Sequence, residues 1–515
     1  MTELYPYQLD AVNTTDHHDK GILVLPTGTG KTMIQSAIIE RDIILFPNQF
    51  RMYVINAPRI ILTYQLLKEV YTYMVERGIE VRFHFAHSGS AVDESELEEL
   101  RVRANEEGFN IPYADIDSST SSIRLSEAIK KCNDTNVPLI VFSTYNSAER
   151  VEEARQHLDI NISIVLNDEA HYLVQERFHD IIHILASDRY YFFTATTRHT
   201  SSDKGRGMNN VDSYGEVIYQ LLPREAIESG KMVRPRIHTI KTEGVRTSED
   251  YDRSFNVVIH SSFTQHKEYL NENHPTISPK ILVSTRGSND IKNFLLSNQY
   301  TQLREQGVEV YAIASNDEIG NNINGVKVKR QEFLKQLKEC GRDISKEMLI
   351  LHIDILTEGI DVPGITTIMP LRELNKSRFI QTFGRCARLD IRDRAMLESG
   401  EITPNDLDRM NKPYAYVILP YITQTNRDDS DSMRNIIYEL REFGFNPSED
   451  VVGEFELRGI TEEEDLNTFN ELNRRNGSTG NIIDEIISEI ENSEIAKLSE
   501  LDYMDLHIPN ELFGE

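Results

Sequence analysis

No stretch of about 18 consecutive apolar residues occurs in the 515-residue chain, so the sequence offers nothing long enough to cross a membrane as a helix. The amino terminus, MTELYPYQLD, lacks the basic segment followed by an apolar one that marks a secretory signal. Cysteine is scarce. Cys132, Cys340 and Cys386 stand far apart, without metal-ligand spacing or a disulfide framework, which points to a reducing compartment, the cytosol. Basic residues are outnumbered, 55 against 83 acids, for a net charge of −28. Such a balance ordinarily argues against nucleic acid as a partner. The excess is uneven, however. Residues 426–515 hold 24 acids and 7 bases, which leaves residues 1–425 at −11, compatible with a locally positive groove.

One further absence concerns a single glycine. The stretch Leu25-Pro26-Thr27-Gly28-Thr29-Gly30-Lys31-Thr32 ends as a phosphate-binding (Walker A) loop ends, yet Leu25 stands where the first glycine of that pattern belongs. Its surroundings favour the loop. Gly21–Leu25 is an apolar run suited to a buried strand, and Met33–Ile39 reads as a helix. In that context the backbone N–H groups of Thr27, Gly28, Thr29 and Gly30 would cradle phosphate. Lys31 would reach the β- and γ-phosphates, and the Thr32 hydroxyl would bind Mg²⁺.

At 515 residues, three domains of ordinary size are expected. Residues 1–205 alternate helical stretches with strand candidates at 22–25, 53–56, 81–86, 139–143, 163–166 and 191–194, a pattern that predicts a parallel sheet covered by helices. The acidic, Ser-rich region from about 92 to 135 reads as an insertion. His199–Gly215 is polar and reads as a link between two halves. A second alternating block, 206–425, has strand candidates at 280–284, 308–313, 348–351, 366–369 and 416–419 but no phosphate loop of its own. Residues 426–515 form an acidic extension. Ile483, Ile486, Ile487, Ile490 and Ile495 lie at near-helical spacing there, suiting a helix packed on the second half or one that binds a partner protein.

Ile164-Val165-Leu166-Asn167 runs apolar into two adjacent carboxylates, Asp168-Glu169, followed by Ala170-His171. Hydrolysis at a phosphoanhydride needs such a pair. One carboxylate holds Mg²⁺ and the other orients and deprotonates the attacking water. Asp168 is assigned to the metal and Glu169 to the water. His84, His87 and His171 have no metal role in this reading.

With the loop and the acidic motif in place, residues 1–425 resemble a superfamily 2 helicase of the DExD/H-box class. Tyr5-Pro6-Tyr7-Gln8 resembles the motif whose glutamine, here Gln8, reads adenine, although Tyr5 stands where many members carry arginine. Asn56-Ala57-Pro58-Arg59 and Ser143-Thr144-Tyr145 resemble strand-tracking motifs, and Thr194-Ala195-Thr196 the motif coupling hydrolysis to domain movement. Val283-Ser284-Thr285-Arg286, the stretch Leu356–Pro363 and Gln381–Arg388 resemble the fourth, fifth and sixth motifs.

The resemblance implies two tandem RecA-like parallel-sheet domains, an α/β fold, with an acidic, mainly helical extension. It implies ATP and Mg²⁺ as cofactors, with Gly359 and Asp361 at the nucleotide and Gln381, Arg385 and Arg388 in catalysis. Arg385 and Arg388, three apart on a helix, would share one face and neutralise charge on the γ-phosphate. Pro58, Arg59, Thr144, Thr285, Arg286 and Thr357 would hold a nucleic-acid backbone, and His171, Thr194 and Thr196 would couple hydrolysis to movement. The stretches ILTEGIDVPG and YGEVIYQLLPREAIESGKMVRPRI look most like restriction-enzyme motor subunits and phage branch-migration helicases. DNA is therefore expected ahead of RNA, in a prokaryotic or phage-infected cell. The output would be nucleic-acid-stimulated ATP hydrolysis, driving duplex or branched DNA remodelling.

Overall fold

The computed structural model describes residues 4–86, 116–119, 121–200, 205–242, 248–314, 318–353, 362–372, 376–422 and 450–453, with isolated positions at 374 and between 436 and 445. Thr357, Gly359, Asp361, His87 and nearly all of the acidic extension lie outside them. Two compact units are formed. The first takes the described residues of Met1–Val233, Val362 and Pro363, and those of Ser377–Pro413. The second takes Arg234–Ile353, Gly364–Lys376 and the described residues from Tyr414 onward. Among the described residues no helix is long and apolar enough to cross a membrane.

The first unit is built on strands β1 (Lys20–Val24), β2 (Met52–Ala57), β3 (Arg82–Ala86), β4 (Ile116–Ser119), β5 (Leu139–Thr144), β6 (Ile162–Asn167), β7 (Ser187–Thr194) and β8 (Glu216–Gln220). They stand in the order β4-β3-β5-β2-β6-β7-β1-β8, and every pairing is parallel. Every residue of β2, β5 and β6 is buried, which is why these strands read as continuous apolar runs: a parallel sheet is covered on both faces. Residues 116–135, within the span read as an insertion, supply β4 and the helix Ser122–Thr135, whose Leu125, Ile129 and Cys132 enter the core. The described part of the polar stretch 199–215, expected to link two halves, packs on this unit. Met208 and Tyr214 are in its core, and β8 follows as an edge strand on β1.

The register decides what meets at the sheet edge. β6, β7 and β1 are adjacent and parallel, with Val24 beside Thr194 and Asn167 beside Phe192. Their C-terminal ends therefore bring the loop after β1, the acidic turn after β6 and Thr194–Thr196 to one edge, where open α/β sheets bind ligands.

The second unit carries β9 (Arg234–Thr242), β10 (Lys280–Ser284), β11 (Glu309–Ile313), β12 (Asn321–Ile323), β13 (Val326–Lys327), β14 (Met348–His352), β15 (Thr367–Pro370), β16 (Tyr414–Ile422) and β17 (Val451–Gly453). Their order is β13-β12-β11-β14-β10-β15-β16-β9-β17, parallel except for the β11-β12-β13 meander. Beneath β9, β15 and β16 lies a buried imidazole pair: His238 Nδ1 is 2.8 Å from His266 Nδ1, and His266 Nε2 is 2.8 Å from Thr367 Oγ1. Tyr269, His274 and Tyr416 surround it. Burial pushes His238 down to about 4 and His266 well below the usual histidine range, so both are neutral.

Candidate nucleotide site and nucleic-acid face

The phosphate loop turns through two left-handed glycines, Gly28 at φ +91° and Gly30 at φ +80°, and Gly30 opens the helix Lys31–Leu45. A side chain at the second would be strained by the left-handed backbone and would oblige Gln8 to shift. A Cβ on Gly30 would lie 2.5 Å from Gln8 Nε2. Gln8 is buried against the loop, donating from Nε2 to the Thr29 carbonyl at 3.1 Å and accepting the Tyr5 N–H at 3.0 Å. The Tyr7 hydroxyl donates to the same Thr29 carbonyl at 2.7 Å. The residue read from the motif as an adenine reader is thus placed where it braces the phosphate loop.

At the end of β6 the Asp168 N–H bonds the Asn56 carbonyl, and its own carbonyl accepts the Tyr145 hydroxyl at 2.6 Å. Gln35 Nε2 donates to Asp168 Oδ1 at 3.1 Å. Gln35 lies three residues after Thr32, one helical turn on, so this bond brings the Thr32 end of the helix beside the carboxylate. Glu169 adopts a left-handed backbone at φ 50°, a conformation that costs a non-glycine residue about 1 kcal/mol or more and recurs at functional sites. Its Oε1 is 3.8 Å from Lys31 Nζ.

The two carboxylates are driven apart in acidity. Burial, and then the neighbouring Glu169, push Asp168 up to about 7. Burial works to raise Glu169 as well, but Lys31, followed by Arg385, outweighs it and holds Glu169 below the usual carboxylate range. Glu169 is therefore the ionised member. Asp168 is a buried oxygen donor that a divalent cation would satisfy. Among the described residues no group of three or more His, Cys, Asp or Glu could hold a metal. The donor set Thr32 and Asp168 accordingly suits Mg²⁺ only in the manner of nucleotide sites, where phosphate and water complete the shell.

His171 is fully buried and neutral, burial having pushed it down to about 4. Gln381 Nε2 lies 3.0 Å from its Nε2, and its Nδ1 lies 3.2 Å from Thr194 Oγ1. The Thr194 hydroxyl donates to the Thr196 carbonyl at 2.7 Å. With the amide N–H of Gln381 as donor, the imidazole carries its proton on Nδ1. One directional chain then joins Gln381, His171, Thr194 and Thr196.

Gln381 belongs to the helix Lys376–Cys386, which groups with the first unit from Ser377 onward. That helix and the turn after it press on the loop; Arg388 lies beyond the helix end, bridged to Met232, rather than on one helical face with Arg385 as the spacing suggested. A Cβ on Gly384 would meet Thr27 Cβ at 3.0 Å, and one on Gly28 would meet Arg388 Cγ at 3.2 Å. Arg385 is buried, and its charge acts on Glu169. Lys31, Asp168, Glu169, Gln381, Arg385 and Arg388, far apart in sequence, are thus gathered around the loop. Gln35, Tyr7 and Tyr145 belong to the same assembly and went unassigned in the sequence. Only Gln35 had a signal there, its one-turn spacing from Thr32.

The expected backbone contacts divide in two. Arg59 and Arg286 are exposed at the ends of β2 and β10, while Pro58 is buried. Thr144 and Thr285 are buried with their hydroxyls turned inward, to Ser147 Oγ at 2.9 Å and to the His352 carbonyl at 3.1 Å.

The two mainly parallel α/β sheets of the described residues give a fold similar to that of solved restriction-modification enzymes. Residues 1–199 match the family described as Type III restriction enzyme, res subunit. Among solved structures, the ATP-dependent Type ISP restriction-modification enzyme LlaBIII bound to DNA is similar at a TM-score of 0.64 and 17% identity, over 97% of this chain and 34% of that one. A nuclease-deletion mutant of the Type ISP enzyme LlaGI, in complex with a DNA substrate mimic, is similar at 0.56 and 17%, over 96% and 33%. The chain therefore spans about a third of the length of these enzymes. No curated protein sequence matches it.

Proposed function

We propose that this chain is an ATP-hydrolysing motor that moves on nucleic acid, with duplex or branched DNA as its track and unwinding, remodelling or branch migration as its output. The observation that carries the reading is the gathering of Lys31, Glu169, Asp168, Arg385 and Arg388 around one glycine-shaped loop. In this reading Lys31 binds the β- and γ-phosphates and Thr32 and Asp168 hold Mg²⁺. Bound there, the ion supplies neutralisation of the phosphate oxygens. Glu169, kept ionised by Lys31 and Arg385, orients and deprotonates the attacking water. Arg388, lying across Gly28, meets the charge that develops on the γ-phosphate.

The chain Gln381–His171–Thr194–Thr196 passes the state of the site to the rest of the molecule. Gln8 links base recognition to the loop through Thr29. Arg59 and Arg286 grip phosphates without reading bases, and Thr144 and Thr285 shape the turns that carry such contacts. Thr357, Gly359 and Asp361 retain the roles that the motif order assigns them. The acidic segment 426–515 serves as a docking element for a protein partner, and the working compartment is the cytoplasm of a prokaryotic or phage-infected cell.

DNA is preferred to RNA because the two restriction enzymes named above were solved with DNA or a DNA substrate mimic. A second reading is a motor subunit of a restriction assembly whose nuclease is another chain; the match of residues 1–199 to a restriction-enzyme subunit supports the restriction context. The test is steady-state ATPase at low salt with no polymer, single-stranded DNA, duplex DNA, a four-way junction and RNA. Duplex or junction DNA is expected to stimulate most. Stimulation by RNA alone would remove the DNA assignment. Lys31→Ala should abolish turnover, and nucleic-acid-stimulated hydrolysis retained by that variant would overturn the site.

A further inference from the structure

Lys412 is a cation in the interior of the first unit, 3% exposed. Its Nζ donates to two main-chain carbonyls, Cys386 at 2.5 Å and Arg388 at 2.8 Å. Between them, the Ala387 carbonyl accepts the Val233 N–H at 2.8 Å, and Met232 bridges to Arg388. Three successive carbonyls that end the arginine-bearing helix are thus each engaged, two of them by one ammonium. A cation suits that place, because the end of a helix presents carbonyl oxygens and partial negative charge.

The lysine is held in turn by Asp393, which is fully buried. Asp393 accepts the backbone N–H of Lys412 at 2.8 Å, and the backbone and side-chain N–H groups of Asn411 at 2.7 and 2.8 Å. Burying an ammonium is costly unless acceptors and opposite charge offset it, and a well-packed apolar residue would often serve stability as well. The placement of this charge therefore calls for a role besides packing. What its bonds hold is the stretch that aims Arg388 at Gly28 and keeps Gly384 against Thr27.

We propose that Lys412 is a positioning residue for ATP hydrolysis, its buried ammonium holding the end of the helix that carries Arg385, and the turn just after it that carries Arg388, at the phosphate loop. This rests on the ATPase reading given above. Lys412 touches neither nucleotide nor water. It acts through Arg388, because a displacement of about 1 Å at a catalytic group can cost up to ~100-fold in rate.

The test is steady-state ATPase of the full chain with duplex DNA, with thermal melting followed alongside. It compares wild type, Lys412→Met, Lys412→Arg, Arg388→Ala and the double variant Lys412→Met/Arg388→Ala. Lys412→Met keeps the main-chain bonds of Asp393 and is expected to lower kcat about 10-fold or more with KM for ATP within about 2-fold. Lys412→Arg should recover most of the loss. The double variant should be no slower than Arg388→Ala alone, since the two residues act in series. The proposal is overturned by a Lys412→Met chain with wild-type kcat, by losses that multiply in the double variant, or by loss of cooperative melting in Lys412→Met, which would make the ammonium purely structural. A wild type that hydrolyses no ATP removes the functional reading itself, a result visible before any variant is compared.

Discussion

Gly30 and Gly78 are both left-handed glycines of the first unit, at φ +80° and +66°, and they separate two kinds of constraint. A methyl group on Gly78 would meet nothing within 4 Å, whereas one on Gly30 would strike Gln8 Nε2 at 2.5 Å. Gly78→Ala should therefore cost only the conformational term, about 1–2 kcal/mol in chemical denaturation, with nucleotide binding intact. Gly30→Ala should abolish binding of a fluorescent ATP analogue, because it displaces the glutamine and the loop together. Equal effects of the two substitutions on binding would show that the contact with Gln8 is immaterial. At this scale the chemical residues were legible. Lys31 and the Asp168-Glu169 pair announce themselves by type and spacing, since their chemistry admits few substitutes. The left-handed backbone of Glu169 and the bracing role of Gln8 were not legible, because both depend on neighbours distant in the chain.

Among the elements, the helix that begins at Lys31 is anchored at its far end by a single buried carboxylate. Asp42 accepts two bonds from Arg51, at 2.7 and 3.0 Å, one from the Tyr53 hydroxyl at 2.8 Å, and one from Arg189. Asp42→Ala would leave two guanidinium groups without their common acceptor, and should destabilise the first unit by about 3–5 kcal/mol, read as a lowered urea midpoint. A shift below about 0.5 kcal/mol would show that the arginines simply turn to solvent.

The imidazole pair of the second unit makes a prediction of a different sign. His238 is held at about 4 when folded against about 6.5 when unfolded. Between those values the unfolded chain binds the extra proton, so stability is fully present above pH 6.5 and is lost as pH falls toward 4. The loss should reach about 3 kcal/mol for His238 alone. Urea midpoints at pH 7.5, 6 and 5 should fall more steeply for wild type than for His238→Gln, and parallel slopes would dismiss the pair as the cause. The central strands were readable because a sheet covered on both faces demands unbroken apolar runs. β8, reading EVIYQ at a half-exposed edge, and the three- and two-residue strands β12 and β13 carry no such pattern.

For the whole molecule the governing quantity is charge. A chain at −28 gains little from long-range attraction to a polyanion, so in the proposed reading the grip comes from local contacts such as Arg59 and Arg286. Affinity for duplex DNA should fall linearly with salt on logarithmic axes. Arg59→Ala and Arg286→Ala should each reduce the slope by about 1 while weakening all sequences alike. An unchanged slope would remove that arginine from the phosphate contacts. Composition alone argues against nucleic acid and the motif order argues for it, because net charge averages over a surface whereas a grip is made by a few side chains.

The path of the main chain carries a last consequence. It leaves the first unit after Val233, rejoins it briefly for Val362 and Pro363, returns from Ser377 with the arginine helix and Lys412, and departs again after Pro413. The chain is therefore sewn rather than hinged at one seam. No single scission, by protease or by gene truncation, can yield two complete halves. A fragment ending at Val233 would keep the phosphate loop and both carboxylates yet lack the helix that presses on them, so any attempt to split this protein must supply residues 377–413 to the first piece as a separate stitch.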